Sequence, residues 1–157
     1  MAIQNIFVVG AGLMGSGIAQ NAITCGYHVV LNDQRQEALE RARAGIEKAL
    51  NRDVEKGRMT AEDRDAALAC LTTDVTMEGG RNADLVIEAI FENLEAKQAV
   101  FSALEEVCPE HTIFASNTSS ISLTALAAAT KRPSRVVVLD FFSPVPRMGL
   151  CEVIFGL

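Results

Sequence analysis

An α/β fold built on a doubly wound, mostly parallel sheet is what this sequence predicts, on three observations. Short apolar runs alternate along the chain with amphipathic segments of helix length. The runs are apolar almost throughout, as in Leu85-Val86-Ile87 and Val136-Val137-Val138-Leu139, which suits strands covered by helices on both faces. The polar clusters fall just after the runs, where open α/β sheets receive their ligands.

The first run, Ile6-Phe7-Val8-Val9, passes directly into Gly10-Ala11-Gly12-Leu13-Met14-Gly15, and Ile18-Ala19-Gln20-Asn21-Ala22 continues at helical spacing. A second strand, His28 to Asp33, follows. Between a strand and a helix, the G-x-G-x-x-G spacing reads as a dinucleotide-binding turn. Gly10 permits the turn, Gly12 lets backbone N–H groups approach a pyrophosphate, and Gly15 lets the helix pack closely on the sheet. Leu13 and Met14 open that helix, whose positive N-terminal end faces the phosphate charge. Asp33 ends the second strand, where a carboxylate accepts hydrogen bonds from an adenine-ribose 2′-OH and repels a 2′-phosphate, so NAD is expected over NADP. Two alternatives stay open there: Arg35 is placed to meet a 2′-phosphate, and Asp33 is a candidate helix cap.

Gln36 to Gly57 reads as a long amphipathic helix with Ala38, Leu39, Ala42, Ile46, Ala49, Leu50 and Val54 on one stripe. Thr60-Ala61-Glu62-Asp63 has the form of a cap and acidic first turn for a short helix ending near Cys70, followed by a strand around Leu71-Thr72-Thr73. This makes an inserted helical pair. Met59 and the charges between its helices read as solvated surface. Regular alternation then resumes: strand Asp84 to Ile90, helix Leu94 to Val107, strand Thr112 to Ser116, helix Leu123 to Thr130, strand Arg135 to Phe142.

The 157 residues, 49% hydrophobic with formal net charge −6, fit one domain with one sizeable core. The acidic balance, without a basic run, argues against nucleic acid or an anionic membrane as partner. The N-terminal residues run straight into a strand and no apolar stretch reaches membrane-span length, so a cytoplasmic protein acting on small molecules is expected. Cys25, Cys70, Cys108 and Cys151 lie scattered, indicating neither a zinc site nor a disulfide framework, and read as reduced, mostly buried thiols. His28 and His111 lack an obvious partner in sequence and read as structural. No metal site is expected.

Four motifs in order now make the chain similar to a known family. Gly10 to Gln20, Asp84 to Asn93, Ala115-Ser116-Asn117-Thr118-Ser119-Ser120, and Phe141-Phe142 with Pro144-Val145-Pro146 together resemble the L-3-hydroxyacyl-CoA dehydrogenases of fatty acid metabolism. The resemblance implies a Rossmann-type, NAD-binding domain of an oxidoreductase acting on acyl-CoA. It spans the whole chain but only the N-terminal half of the family's protein, whose helical C-terminal domain supplies dimerisation and part of the acyl-CoA site. A single-domain fragment of a two-domain homodimer is expected.

Carried over by position, the resemblance places Asp33 and Gln34 at the adenosine ribose, and Ala89, Ile90 and Asn117 along the cofactor. Glu92 and Lys97 then lie near the nicotinamide end. Ser119 matches the serine that hydrogen-bonds the substrate's reacting oxygen; read without the family, it is a candidate cap for the next helix. Glu152 matches the glutamate that orients the family's catalytic histidine, the first residue of a His-Phe-Phe-Asn-Pro motif. This chain instead reads Asp140-Phe141-Phe142-Ser143-Pro144: Asp140 replaces the histidine, Ser143 replaces an asparagine that positions substrate, and Gly149 stands where many members carry lysine.

Imidazole suits proton transfer near neutral pH. Aspartate is shorter and gains nothing from Glu152; two facing carboxylates disfavour simultaneous ionisation. A loss on the order of 10²–10⁴ in rate is therefore expected. A non-catalytic NAD-binding module and a dehydrogenase for a 3-hydroxy acid without CoA stand as alternative readings.

Overall fold

The computed structural model describes residues 2–156; positions 1 and 157, which bound the reading of the chain's ends, lie outside the described residues. Seven strands form one sheet in the order β3-β2-β1-β4-β5-β6-β7. In chain order the elements are β1 (Asn5–Val9), α1 (Leu13–Thr24), β2 (His28–Asn32), α2 (Gln36–Glu55), α3 (Ala61–Ala69), β3 (Leu71–Asp74), β4 (Leu85–Glu88), α4 (Leu94–Glu105), β5 (Ile113–Ser116), α5 (Leu123–Ala127), β6 (Val136–Phe141) and β7 (Cys151–Phe155). Strands β1 to β6 pair in parallel and β7 joins β6 antiparallel. The order across the first six strands is that of the Rossmann-type fold, with the reversal of winding at β1 and β4.

The near-continuous apolar strands serve two cores, one per face. Val8, Leu31, Ile87 and Ala115 meet Ile18, Ile23, Leu39, Ile46 and Leu50 from α1 and α2. On the other face, Phe7, Val86 and Phe114 meet Phe101, Leu104 and Leu126 from α4 and α5. The Phe101 and Phe114 rings stack at 5.4 Å between centroids. Burying each large apolar side chain stabilises the fold by about 1.5–3 kcal/mol. The α2 stripe buries Ala38, Leu39, Ala42, Ile46 and Leu50, while Ala49 and Val54 stay half-buried. Thr60 caps α3 by accepting from the Asp63 N–H.

Several elements are shorter than the sequence predicts, for local reasons. The Asp84–Ile90 strand contracts to β4 because the Asp84 carboxylate accepts from the Gln4 and Asn5 N–H groups, and the Ile90 N–H turns back to the Glu88 carboxylate. The chain after α4 and after α5 tightens to three-residue bonds before a proline: Val107 N–H to Leu104 O ahead of Pro109, and Thr130 N–H to Ala127 O ahead of Pro133. Gly57, at φ +71, ends the turn after α2.

Three readings need correcting. Met59 is not solvated surface; it is half-buried and packs on the first core. The cysteines are not mostly buried: only Cys108 is, whereas Cys25 is exposed and Cys70 and Cys151 are half-buried. His111 does have an acidic partner, its Nε2 lying 2.9 Å from Asp84 Oδ1, a contact between residues 27 apart in sequence. Strand β7 was not foreseen, because four of its five residues are exposed and no burial alternation marks it.

Candidate active site

The turn after β1 separates its glycines by what each is for. Gly10 sits at φ +105, and a Cβ there would lie 2.6 Å from Ala89 O. A Cβ on Gly15 would lie 1.6 Å from Gly10 O. Both positions are therefore demanded by the protein's own backbone. At Gly12 a Cβ would meet nothing within 4 Å, so no protein atom explains this glycine. Gly12 is also the N-cap of α1, which has no side-chain cap and no acidic residue in its first turn, where Leu13 and Met14 lie. An open approach to uncapped N–H groups at the positive end of a helix fits a pyrophosphate.

Asp33 follows β2 beside this turn. Its Oδ2 accepts from the Ala11 N–H at 3.1 Å and its Oδ1 from the Arg35 N–H at 3.0 Å. The N-cap of α2 is Arg35 rather than Asp33. The carboxylate braces the glycine turn and keeps lone pairs for a ribose hydroxyl. The Arg35 side chain, 3.7 Å from Asp33 Oδ1, and Gln34 are both exposed at this edge.

Across the switch point, the ends of β4 and β5 carry a closed polar network. Lys97 reaches back from α4, fully buried, with Nζ 2.6 Å from Glu88 Oε2, 3.4 Å from Glu92 Oε1 and 3.4 Å from the Ile90 carbonyl. Glu88 is equally buried and takes the Ser116 hydroxyl on Oε1 at 2.5 Å. Glu92, partly exposed, accepts from the Thr118 hydroxyl on both oxygens, at 2.8 and 2.9 Å, and from Ser120 Oγ at 3.1 Å. Burial pushes the Glu92 carboxyl up, but the Thr118 hydroxyl, the Lys97 charge and Ser120 outweigh it and leave it below its ordinary value. Lys97 thus offers no free ammonium to a ligand; it holds Glu92. Ala89 and Ile90 line the lip between the glycine turn and Glu92, both half-buried.

The third part of the edge is the β6–β7 ribbon. Asp140 stands opposite Glu152 in the antiparallel register. Asn117 accepts from the Phe141 N–H at 3.3 Å and so ties the end of β5 to that of β6. Ser119 is exposed beside it, and the cap of α5 is Ser122, which accepts from the Ala125 N–H. Ser143 is exposed on the loop that follows. Burial raises the Cys151 thiol above its ordinary value, and the carboxylates of Asp140 and Glu152 add to the effect. Among the described residues no three His, Cys, Asp or Glu side chains gather into a metal cage, and no helix is long and apolar enough to cross a membrane.

Glu88, Ser116, Thr118 and Ser120 lie within motifs that the sequence singles out, but no individual role is assigned to them there. A signal was present for the first of these: a glutamate ending the apolar run Leu85-Val86-Ile87 predicts a buried charge in need of a partner.

Fold and turn together define a dinucleotide-binding domain of the Rossmann type. The family model described as "3-hydroxyacyl-CoA dehydrogenase, NAD binding domain" matches residues 5–157. The chain belongs to this family, and its cofactor is NAD. It is 47% identical over 157 residues to a probable 3-hydroxybutyryl-CoA dehydrogenase of Bacillus subtilis, covering 100% of this chain and 55% of that protein. With the mitochondrial hydroxyacyl-coenzyme A dehydrogenase of Mus musculus it shares 44% identity over 159 residues, 97% of this chain and 50% of the relative. The crystal structure of 3-hydroxybutyryl-CoA dehydrogenase from Escherichia coli K12 superposes with a TM-score of 0.95 at 47% identity, covering 98% of this chain and 32% of that one. The chain spans about half the length, or less, of these relatives.

Proposed function

We propose that this chain is the NAD-binding half of an L-3-hydroxyacyl-CoA dehydrogenase whose acid–base step is weakened by Asp140. What supports the reading is one juxtaposition: the sheet gathers the Gly12 turn, the Glu92 network, Ser119 and the Asp140–Glu152 pair along a single edge. NAD, when bound, supplies the two-electron hydride acceptor. The chain's residues have the remaining tasks. The Gly10–Gly15 turn and α1 hold the pyrophosphate, Asp33 and Gln34 the adenosine ribose, and Glu92 and Asn117 the nicotinamide half.

When the hydride leaves C3 of a 3-hydroxyacyl group, the hydroxyl proton must pass to a base while the C–O bond becomes a carbonyl. Ser119 is the donor that orients this oxygen. Asp140 is the group placed to take the proton, and a carboxylate beside Glu152 is a poorer acid–base pair than an imidazole, with a rate loss on the order of 10²–10⁴. A groove of about 480 Å³ beside the Pro144–Pro146 loop, lined in part by Gln20, Arg52 and Arg147 and by Arg58 paired with Asp53 at 3.4 Å, offers Arg52 and Arg147 to the phosphates of a CoA ester. The relatives' additional length is where a helical domain carrying dimer contacts and the far wall of the acyl pocket belongs.

The test is NADH oxidation with acetoacetyl-CoA, comparing this chain with Asp140→His at saturating cofactor. Turnover in the histidine variant alone supports the reading. Silence in both, with NADH still bound, leaves turnover to the additional length that the relatives carry or to a second reading, a non-catalytic NAD-binding module, which rests on Asp140 itself.

A further inference from the structure

Glu88 has no access to solvent, although it is a carboxylate at the C-terminal end of a strand. Nothing in the packing of β4 calls for an acid there. A buried ion pair is commonly replaceable by apolar side chains of similar volume at little cost, so its presence asks what it does beyond stability. The contacts give an answer. Glu88 takes the Lys97 ammonium at 2.6 Å, the Ile90 N–H at 2.7 Å and the Ser116 hydroxyl at 2.5 Å. Lys97 in turn reaches Glu92 at 3.4 Å, and Glu92 holds Thr118 and Ser120. One continuous chain of charge and hydrogen bonds therefore latches the loop after β4 to the loop after β5.

The sheet order says what this latch faces. Asp33 follows β2, and the glycine turn follows β1. A dinucleotide with its adenosine at Asp33 and its pyrophosphate at Gly12 must carry its other half towards β4 and β5. We infer that Glu88 is a positioning residue for the nicotinamide half of the cofactor, acting through Lys97 to set Glu92 and the Asn117–Ser120 loop. The inference rests on the NAD-binding reading above. Without the Glu88 charge, Lys97 has only Glu92 as a carboxylate partner, and Glu92, 42% exposed, is free to follow it outward. None of the Glu88 side-chain bonds reaches the glycine turn or Asp33, so the adenosine half is left in place.

Glu88→Gln keeps the shape and removes the charge. Its test is titration with NADH and, separately, with ADP-ribose, which lacks the nicotinamide. The expected result is NADH affinity weakened about tenfold or more, with ADP-ribose affinity held within about twofold. If stranding Lys97 prevents folding, Glu88→Gln/Lys97→Met removes both charges and restores a neutral interior. The same split is expected there, because Glu92 has lost the ammonium that holds it. A purely structural pair predicts otherwise: equal losses for both ligands, or NADH binding restored in the double variant. Either result overturns the inference. Failure of the unaltered chain to bind NADH and ADP-ribose alike overturns the cofactor reading itself, and this inference with it.

Discussion

The two ends of the binding edge are built differently. At the β1, β2, β4 and β5 ends, each glycine that the backbone demands is present, Asp33 is braced by two N–H groups, and the buried charges of Glu88 and Lys97 are paired. At the β6–β7 end, Asp140 faces a second carboxylate across the register, Ser143 is exposed, and Val153, Ile154 and Phe155 present apolar side chains to solvent, Phe155 at 73% exposure. On the proposed function, the cofactor half is completed by this chain's own atoms, whereas the substrate half is open and carries Asp140 where the acid–base step needs an imidazole. Cofactor binding and acid–base chemistry are therefore separable here, and substitutions should strike them unequally.

The sharpest break of this contrast is Gly15→Ala. The added Cβ would fall 1.6 Å from Gly10 O and 2.8 Å from Gly10 C, backbone atoms with no flexible side chain to yield. A loss of about 3 kcal/mol or more in urea denaturation, with NADH binding abolished, is expected. Ser143→Asn, exposed in the other half, should stay within about 0.5 kcal/mol.

Next in size is Lys97→Met, which leaves the Glu88 carboxylate buried without its counter-charge and should cost about 3–5 kcal/mol in the same assay. If this variant proves neutral, the cofactor half is not held by its buried ion pair.

A third prediction concerns the opposite, N-terminal end of the strands. Asp84 is lowered to about 2 by the N–H groups of Asn5 and Gln4 and by His111. A depressed carboxyl contributes stability above its ordinary range. That contribution is lost as pH falls from about 4 towards 2. Asp84→Asn should be less stable than the unaltered chain at pH 7, by about 1–2 kcal/mol, and the two should converge near pH 2. Thermal melts across that range check it, and a constant gap at all pH values would contradict it.

The smallest effect reads the β6–β7 electrostatics directly. Asp140→Asn removes one of the carboxylates that hold the Cys151 thiol up, so alkylation of Cys151 at pH 8 should quicken by about two- to threefold. Cys108, pushed up to about 11 by burial, should stay unreactive in the native protein and serves as the internal reference.

The parts of this molecule that were legible in its sequence are those set by short-range chemistry. Alternating apolar runs announce a covered parallel sheet, and the glycine spacing between Val9 and Ile18 announces the cofactor turn, because backbone clearance admits so few residues there. What escaped is what depends on distant partners. Strand β7 is held by pairing with β6 and not by a buried face of its own. The Glu88–Lys97–Thr118 network joins residues up to 30 positions apart, and His111 finds Asp84 only once β4 and β5 lie side by side. Asp140 was visible as a departure, and its facing Glu152 followed from the family resemblance, whereas the antiparallel ribbon that sets the pair in register was not legible.

The most direct test of the contrast is titration of the unaltered chain with NADH, followed by fluorescence of the reduced nicotinamide. A cofactor half completed by its own residues predicts saturable binding by this chain alone, unchanged by Asp140→His. Absence of binding, or binding that appears only when Asp140 is replaced, would contradict it and make the two ends of the site one inseparable unit.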